Sequence, residues 1–432
     1  MVLLADDAGY HDFGFQGSRE FRTPNIDALA RQGAVYTDAY ATMPFCSPSR
    51  AGLLTGRYTQ RFGYEFNLTQ AAPKGVDPLF MGLDTSERTA ADLLRSAGYA
   101  TYAVGKWHLG EQPQFDPLKR GFDHFYGFAG GGSTYFPEKI APTTITRDGV
   151  AERPARYLTD QFADEAVRDI EQSRGRPFFL YLAFNAVHAP MNARPEDEAL
   201  FAAIADPQRR RLAAMTWALD RAVGKVLTAL KRRGVADNTL VIFTNDNGGD
   251  RIDIGADNAP LRGTKGTLLE GGIRVPLIIR MPHGQAAARQ SVPVSLMDLL
   301  PTALAAAQVA APADLDGRSL LGTPASIAER PLFWRYDTMA AMRQGPWKLL
   351  RFPDRPPQLY DVAADSGETR DLAETYPDRT RAMLKAIFAW EGTVEHPRWH
   401  TGTFWSQEDV RRYSAEHVTA ENQRIRKALF GQ

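Results

Sequence analysis

At 432 residues the chain can bury a large core and exceeds the usual size of one domain, so a large domain followed by a smaller one is expected. Lysine plus arginine and aspartate plus glutamate both number 51, and the resulting formal charge of zero excludes a nucleic-acid binder that works through a general basic field. With 44% hydrophobic and 24% charged residues the composition is that of an ordinary globular protein, and no apolar run is long enough to span a bilayer.

Met1 leads directly into an apolar strand over 2–4, without the charged stretch and cleavage site of a secretory leader, so a leader is expected to be absent from this sequence. The strand ends in Asp6-Asp7. Two adjacent acids behind a buried strand repel each other and are costly to desolvate, which a cation relieves. His11 and Asp12 fall in the following loop and are assigned no role. A helix over 23–33 has Thr23 as N-cap, Pro24 in the first turn and Gly33 closing it.

A strand over 35–40 then delivers Cys46, the single cysteine of the chain. Ser47 as N-cap and Pro48 as first helical residue would put Cys46 just before a helix, whose free N–H groups attract anions. Arg50 can fork onto two oxygens of a tetrahedral anion, and Arg57 adds a second cation nearby. From the residues alone, Cys46 is either a small buried side chain or a thiolate nucleophile. The polar and aromatic run over 61–67 could line a sugar site, but is read as a surface loop.

The next helix, 89–96, ends at Gly98, and a strand over 99–104 puts Gly105 to Gly110 at a carboxyl end, where open α/β sheets hold ligands. Lys106 and His108, two apart, would face one side of an extended segment. The glycine-rich aromatic loop over 121–136 could offer ring faces to pyranoses or pack its rings under a flexible lid, with His124 structural. A helix over 159–172 and a strand over 178–183 lead to His188 just past the strand end. The long helix 207–233 carries a core stripe from Leu212 to Leu230, and the strand 239–244 presents Asp246 and Asn247 on the same edge as Asp6 and Asp7. Four side-chain oxygens without imidazole or thiolate among them suit a hard cation, calcium before magnesium.

Lys265 sits in a glycine-flanked turn, with Arg262 and Arg274 read as structural or rim residues. A helix over 295–308 and an Ala/Pro-rich connection lead to short antiparallel strands over 332–334, 340–342, 347–351 and 358–360, then a helix over 377–390. The expected division is an α/β catalytic domain over 1–325, a smaller α+β subdomain over 326–395 and an extension over 396–432. Trp399, His400 and Trp405 in that extension would cover the cleft, meet a second subunit or simply pack.

The run Cys46-Ser47-Pro48-Ser49-Arg50, with Leu53, Thr55-Gly56 and Arg57, resembles the signature of the type I, formylglycine-dependent sulfatases. Asp6-Asp7 resembles the family's first metal pair, and residues 98–110, with Gly105-Lys106-Trp107-His108-Leu109-Gly110, its second signature. His188, Asp246-Asn247-Gly248-Gly249 and Lys265 follow in the family's order, and the resemblance runs to near residue 390. It implies an alkaline phosphatase-like α/β fold: a large, mostly parallel mixed sheet flanked by helices, with a smaller C-terminal antiparallel sheet plus helix.

The resemblance also implies that Cys46 is oxidised to formylglycine by a formylglycine-generating or anaerobic sulfatase-maturing enzyme, and that its hydrate attacks sulfur with Asp246 accepting the proton. One calcium ion would be held by Asp6, Asp7, Asp246, Asn247 and residue 46. Arg50, Lys106 and Lys265 would hold the anion, His188 would protonate the leaving alcohol, and His108 would act as the base that regenerates the aldehyde. The implied substrate is a sulfated carbohydrate, and the implied location periplasmic or extracellular, with the cytoplasm as the alternative. Rival readings are a phosphonate monoester or phosphodiester hydrolase of the same superfamily, and a non-catalytic sulfated-glycan-binding protein.

Overall fold

The computed structural model describes residues 1–69, 72–142, 144–284, 287–321, 325–400 and 412–413. The large sheet contains, in chain order, β1 (Val2–Ala5), β2 (Ala34–Tyr40), β3 (Ala100–Lys106), β4 (His124–Phe128), β5 (Thr146–Arg147), β6 (Val150–Ala151), β7 (Phe178–Ala183), β8 (Val241–Asn245), β9 (Arg274–Arg280), β10 (Ala288–Gln290) and β11 (Val294–Ser295). Its spatial order is β10-β2-β9-β8-β1-β7-β3-β4-β5-β6, with β11 also on β2. The strands β8, β1, β7, β3 and β4 are parallel, so their carboxyl ends share one edge. β9 is antiparallel to both β8 and β2; two reversals return β2 to the direction of β8, and the chain entering β9 starts from that same edge.

The principal helices are α1 (Pro24–Gln32), α2 (Cys46–Thr55), α3 (Ala90–Ser96), α4 (Leu158–Gln172), α5 (Pro207–Arg232), α6 (Leu299–Ala306) and α7 (Pro377–Glu391). Alternation along β1 explains the layering. Val2 and Leu4 join the core under α2, α3 and α6, while Leu3 and Ala5 join the core beneath α4 and α5. Both faces being covered, the central strands read as continuous apolar runs. The α5 stripe of Leu212, Met215, Leu219, Val223, Val226 and Leu230 is buried, as its helical spacing requires. Among the described residues no helix is long and apolar enough to cross a membrane.

A second, antiparallel sheet follows: β12 (Leu332–Tyr336), β13 (Met339–Gln344), β14 (Trp347–Arg351) and β15 (Gln358–Asp361). Ala340, Met342, Leu349 and Leu359 meet Met383 and Ile387 of α7 on one face, while Ala341, Leu350 and Tyr360 turn to the main core. This is the expected large mixed sheet with a small antiparallel companion.

Several local expectations are corrected. Thr23 does not cap α1; its hydroxyl accepts from the Gly14 N–H and donates to Asp27, and the free N–H groups of Asn25 and Ile26 go instead to Asp220 of α5, at 3.0 and 2.8 Å. A carboxylate from another helix thus does what the local hydroxyl was expected to do. The run 61–67 is not a surface loop: Phe62, Tyr64, Glu65, Phe66 and Asn67 are buried. The aromatic run 121–136 packs its rings, with Phe122, Phe125, Tyr126, Phe128 and Tyr135 buried, and part of it is β4.

His124 is structural. Its Nδ1 lies 2.9 Å from Asp148 and its Nε2 3.0 Å from Glu165, with Asp169 at 3.7 Å and Arg147 and Arg168 paired to Glu165. Burial alone would lower its pKa, but the bonds to Glu165 and Asp148 and the charge of Asp169 raise it to about 9. Unfolded, it would titrate near the ordinary histidine value, so the folded chain holds the extra proton and the stability it brings is lost as pH rises through about 9. His124→Gln is therefore expected to flatten the fall in thermal midpoint between neutral pH and the alkaline side, by about 1–2 °C. Parallel curves for the two proteins would refute this.

Candidate active site

The shared sheet edge collects what the sequence scatters. β1 delivers Asp6 and Asp7, β8 delivers Asp246 and Asn247, β7 is followed by His188, and β3 ends in Lys106 with His108 beyond it. Cys46 begins α2 after β2, and Lys265 lies in the approach to β9. Carboxyl ends of parallel strands are where backbone polar groups and loops are free to take ligands.

Cys46 is the first residue of α2, not the residue before it, and Ser47 is not its cap. The free N–H of Ser47 donates to Asn67 Oδ1 at 3.0 Å, and the Ser47 hydroxyl bonds to the His108 carbonyl at 2.7 Å and to Tyr64 at 2.6 Å. Arg57 leaves the site and pairs with Glu87 at 2.8 Å. Cys46 Sγ lies 3.5 Å from Asp6 and 3.8 Å from Asp7. Burial first, then the charge of Asp246, push its thiol well above the ordinary value, which disfavours a thiolate.

Around Cys46 three carboxylates face three cations. Lys106 Nζ is 2.7 Å from Asp6 Oδ2, Lys265 Nζ 2.6 Å from Asp7 Oδ2, and Arg50 Nε 2.9 Å from Asp246 Oδ2. Arg50 also donates to the Lys106 carbonyl at 2.9 Å and is wholly buried. These buried pairs are costly to break singly, because the remaining charge has no water. Asp7 is held well below the usual carboxylate range, Lys265 outweighing burial, while burial and the Asp6 charge push Asp246 upward.

The donor set fits a hard cation. Asp6, Asp7, Cys46 and His188 each place a ligand atom within 4.8 Å of the others. Among the described residues Asp246 Oδ1 and Asn247 Oδ1 are buried acceptors without a hydrogen-bond partner, although Asn247 donates through Nδ2 to Asp7 at 2.8 Å. Buried oxygens left unpaired cost free energy that a cation recovers. With the carboxylates and side-chain cations formally balanced, a divalent ion would leave the pocket positive, as an anionic substrate requires.

His108 does not extend the strand: at φ 58° it lies in the left-handed region, as does Asp7 at φ 65°, so simple alternation with Lys106 fails. Burial, with Lys106 and Arg50, holds His108 well below its ordinary pKa. His188 Nε2 is 3.5 Å from Asp7, and burial outweighs that carboxylate, lowering its pKa to about 4.

Two supports were not foreseen. A Cβ on Gly131 would come 2.8 Å from His108 Nε2, so glycine is required where the loop passes that imidazole; at Gly132 a Cβ would meet the His188 ring at an ordinary 3.7 Å. Buried Tyr135 donates to the carbonyls of Asn185 and His188, at 2.6 and 2.7 Å. A tyrosine following a glycine run is the only local signal. Arg262 bonds the Glu368 carbonyl, and Arg274 pairs with Asp38 and Glu270; both are structural.

A family model described as sulfatase matches residues 1–309. The chain is 37% identical over 379 residues to N-acetylgalactosamine-6-sulfatase of Canis lupus familiaris, covering 81% of this chain and 70% of that protein. Its structure superposes with a TM-score of 0.87 on the crystal structure of Ps i-CgsB in complex with k-i-k-neocarrahexaose, at 37% identity, covering 96% of this chain and 97% of that one. The phosphonate monoester hydrolase of Agrobacterium radiobacter, at TM-score 0.64, 21% identity and coverage of 90% and 95%, shares the fold. With the motif residues gathered at one sheet edge and the family model spanning most of the chain, the protein belongs to the sulfatase family and is a sulfuric ester hydrolase.

Proposed function

We propose that the protein removes sulfate from a sulfated carbohydrate, using formylglycine made from Cys46 and one calcium ion held by Asp6, Asp7, Asp246, Asn247 and residue 46. The observation that carries the reading is the buried meeting of Cys46 with Asp6, Asp7, Arg50, Lys106 and Lys265. Substrate class is supported by the similar proteins, one an N-acetylgalactosamine-6-sulfatase and one crystallised with k-i-k-neocarrahexaose. Family membership supports a maturing enzyme as partner and a periplasmic or extracellular location.

As formylglycine hydrate, residue 46 would supply the hydroxyl that attacks sulfur. A calcium ion held by Asp6, Asp7, Asp246, Asn247 and residue 46 would supply Lewis acidity. Within this chain, Asp246 is assigned to take the attacking group's proton, its Oδ1 being a buried acceptor without a hydrogen-bond partner among the described residues. Arg50, Lys106 and Lys265 orient the sulfate and offset charge on its oxygens. His108 is assigned the base that regenerates the aldehyde; burial and the two cations favour its neutral form, which has the free ring nitrogen a base needs. His188 needs its proton at the leaving oxygen; the sulfate's negative charge beside it raises its affinity for that proton.

The test is anion release, resolving sulfate from phosphate, across sulfated oligosaccharides, an aryl sulfate, a phosphonate monoester and a phosphodiester. Sulfate from a glycan is expected; preference for the phosphorus esters would assign the chain to the rival chemistry. If His188 is the acid, His188→Ala should lose about 10²–10⁴-fold in kcat on a sugar sulfate and far less on an aryl sulfate whose leaving group needs no proton. Equal losses on both would remove His188 from that role.

A further inference from the structure

Beyond residue 400 the described residues are Arg412 and Tyr413, and both lie against the turn that carries Lys265. Arg412, 3% exposed, donates through Nη1 to the Lys265 carbonyl at 2.9 Å. Its Nη2 reaches Asp253 at 2.8 Å and Asp250 at 3.3 Å, on the loop that follows Asp246 and Asn247. Next to it the Tyr413 hydroxyl accepts the Leu268 N–H at 2.8 Å, while its ring packs edge-on against Phe352 beyond β14, centroids 5.6 Å apart.

The turn between these anchors is tight. Gly266 has φ 86°, and a Cβ there would lie 2.9 Å from Phe45 and 3.0 Å from Arg412. Its N–H donates to the Pro44 carbonyl at 2.9 Å, and the Lys265 N–H to the Gly249 carbonyl at 3.1 Å. The backbone carrying Lys265 is thus gripped on one side by the segment before Cys46, and on the other by the far end of the chain. A long lysine side chain points reliably only if its Cα is fixed.

We propose that Arg412 and Tyr413 are positioning residues for sulfate hydrolysis: they clamp the 265–268 turn so that Lys265 meets the sulfate group. This makes the extension a working part of the site. The inference rests on the reading of Lys265 as a sulfate contact.

The test compares Arg412→Ala, Arg412→Lys, Tyr413→Phe and Lys265→Ala in the full chain on an aryl sulfate, at a temperature where each is folded. Arg412→Ala is expected to lower kcat/KM by about 10–100-fold, no more than Lys265→Ala does, and to raise the inhibition constant of inorganic sulfate. Arg412→Lys, which keeps a donor and the charge, recovers part of the loss, and Tyr413→Phe loses a few-fold in the same two constants. Wild-type kcat/KM in folded Arg412→Ala, a loss exceeding that of Lys265→Ala, or an unchanged sulfate inhibition constant would overturn the clamp. Should Arg412→Ala fail to fold, Tyr413→Phe decides: a loss supports the clamp and wild-type constants refute it. Full activity in Lys265→Ala would instead refute the role of Lys265 itself.

Discussion

Replacement of Cys46 by alanine is expected to abolish sulfate release, by about 10⁴-fold or more, while leaving the fold in place. The side chain removed is the one from which the attacking hydroxyl is to be made, and no neighbour can substitute. Ser47 bonds to the His108 carbonyl and Tyr64, Ser49 is buried within α2, and Asp6 and Asp7 are held by lysines. Structurally the change is small. A wholly buried thiol is exchanged for a methyl at the first position of a helix whose Ser47 N–H is already met by Asn67, so the stability cost is about 1 kcal/mol. Sulfate release, circular dichroism and the thermal midpoint check this together; folded Cys46→Ala protein with undiminished turnover would refute formylglycine chemistry in this chain.

Chelation should remove activity as completely, and calcium should restore it more fully than magnesium. Asp6, Asp7 and Asp246 converge from two neighbouring strands, and the lysines that neutralise the first two are the same lysines assigned to the sulfate. In chelated enzyme Lys106 and Lys265 remain committed to those carboxylates, and the pocket has no surplus positive charge for an anion. With the ion bound, both ammonium groups gain a second partner. A ligand present at a thousand times its dissociation constant adds about 4 kcal/mol to stability, so the thermal midpoint should fall on chelation and recover on adding calcium. Full activity with metal absence verified by elemental analysis would refute the metal assignment.

Much of the site was legible because its residues sit in short contiguous motifs. Cys46 to Arg50, Lys106 to His108 and Asp246 to Gly249 could be read without knowing where they lie in space, and the apolar runs before Asp6 and Asp246 already indicated buried strands. Local chemistry carried that far because a strand's burial pattern and a glycine or proline at a helix end act within a few residues. The order of the strands, which makes Asp6 and Asp246 neighbours although 240 positions apart, is set by how whole faces pack.

The same limit explains the corrections. Thr23 and Ser47 had the right chemistry for caps, but the N–H groups of Asn25 and Ser47 are met by Asp220 and Asn67, 195 and 20 residues away respectively. Arg57 matched a motif yet found Glu87. Gly131 looked like flexibility and proved to be clearance for the His108 ring. Arg412 and Tyr413 carried no signal, and Tyr135 only its place after a glycine run, since a hydrogen bond to a distant backbone group leaves no trace in local spacing. The groups assigned to the chemistry could be read from residue type, because the chemistry restricts it; the groups that hold them still emerge from the fold, because many residue types can donate to a backbone carbonyl and position alone selects among them.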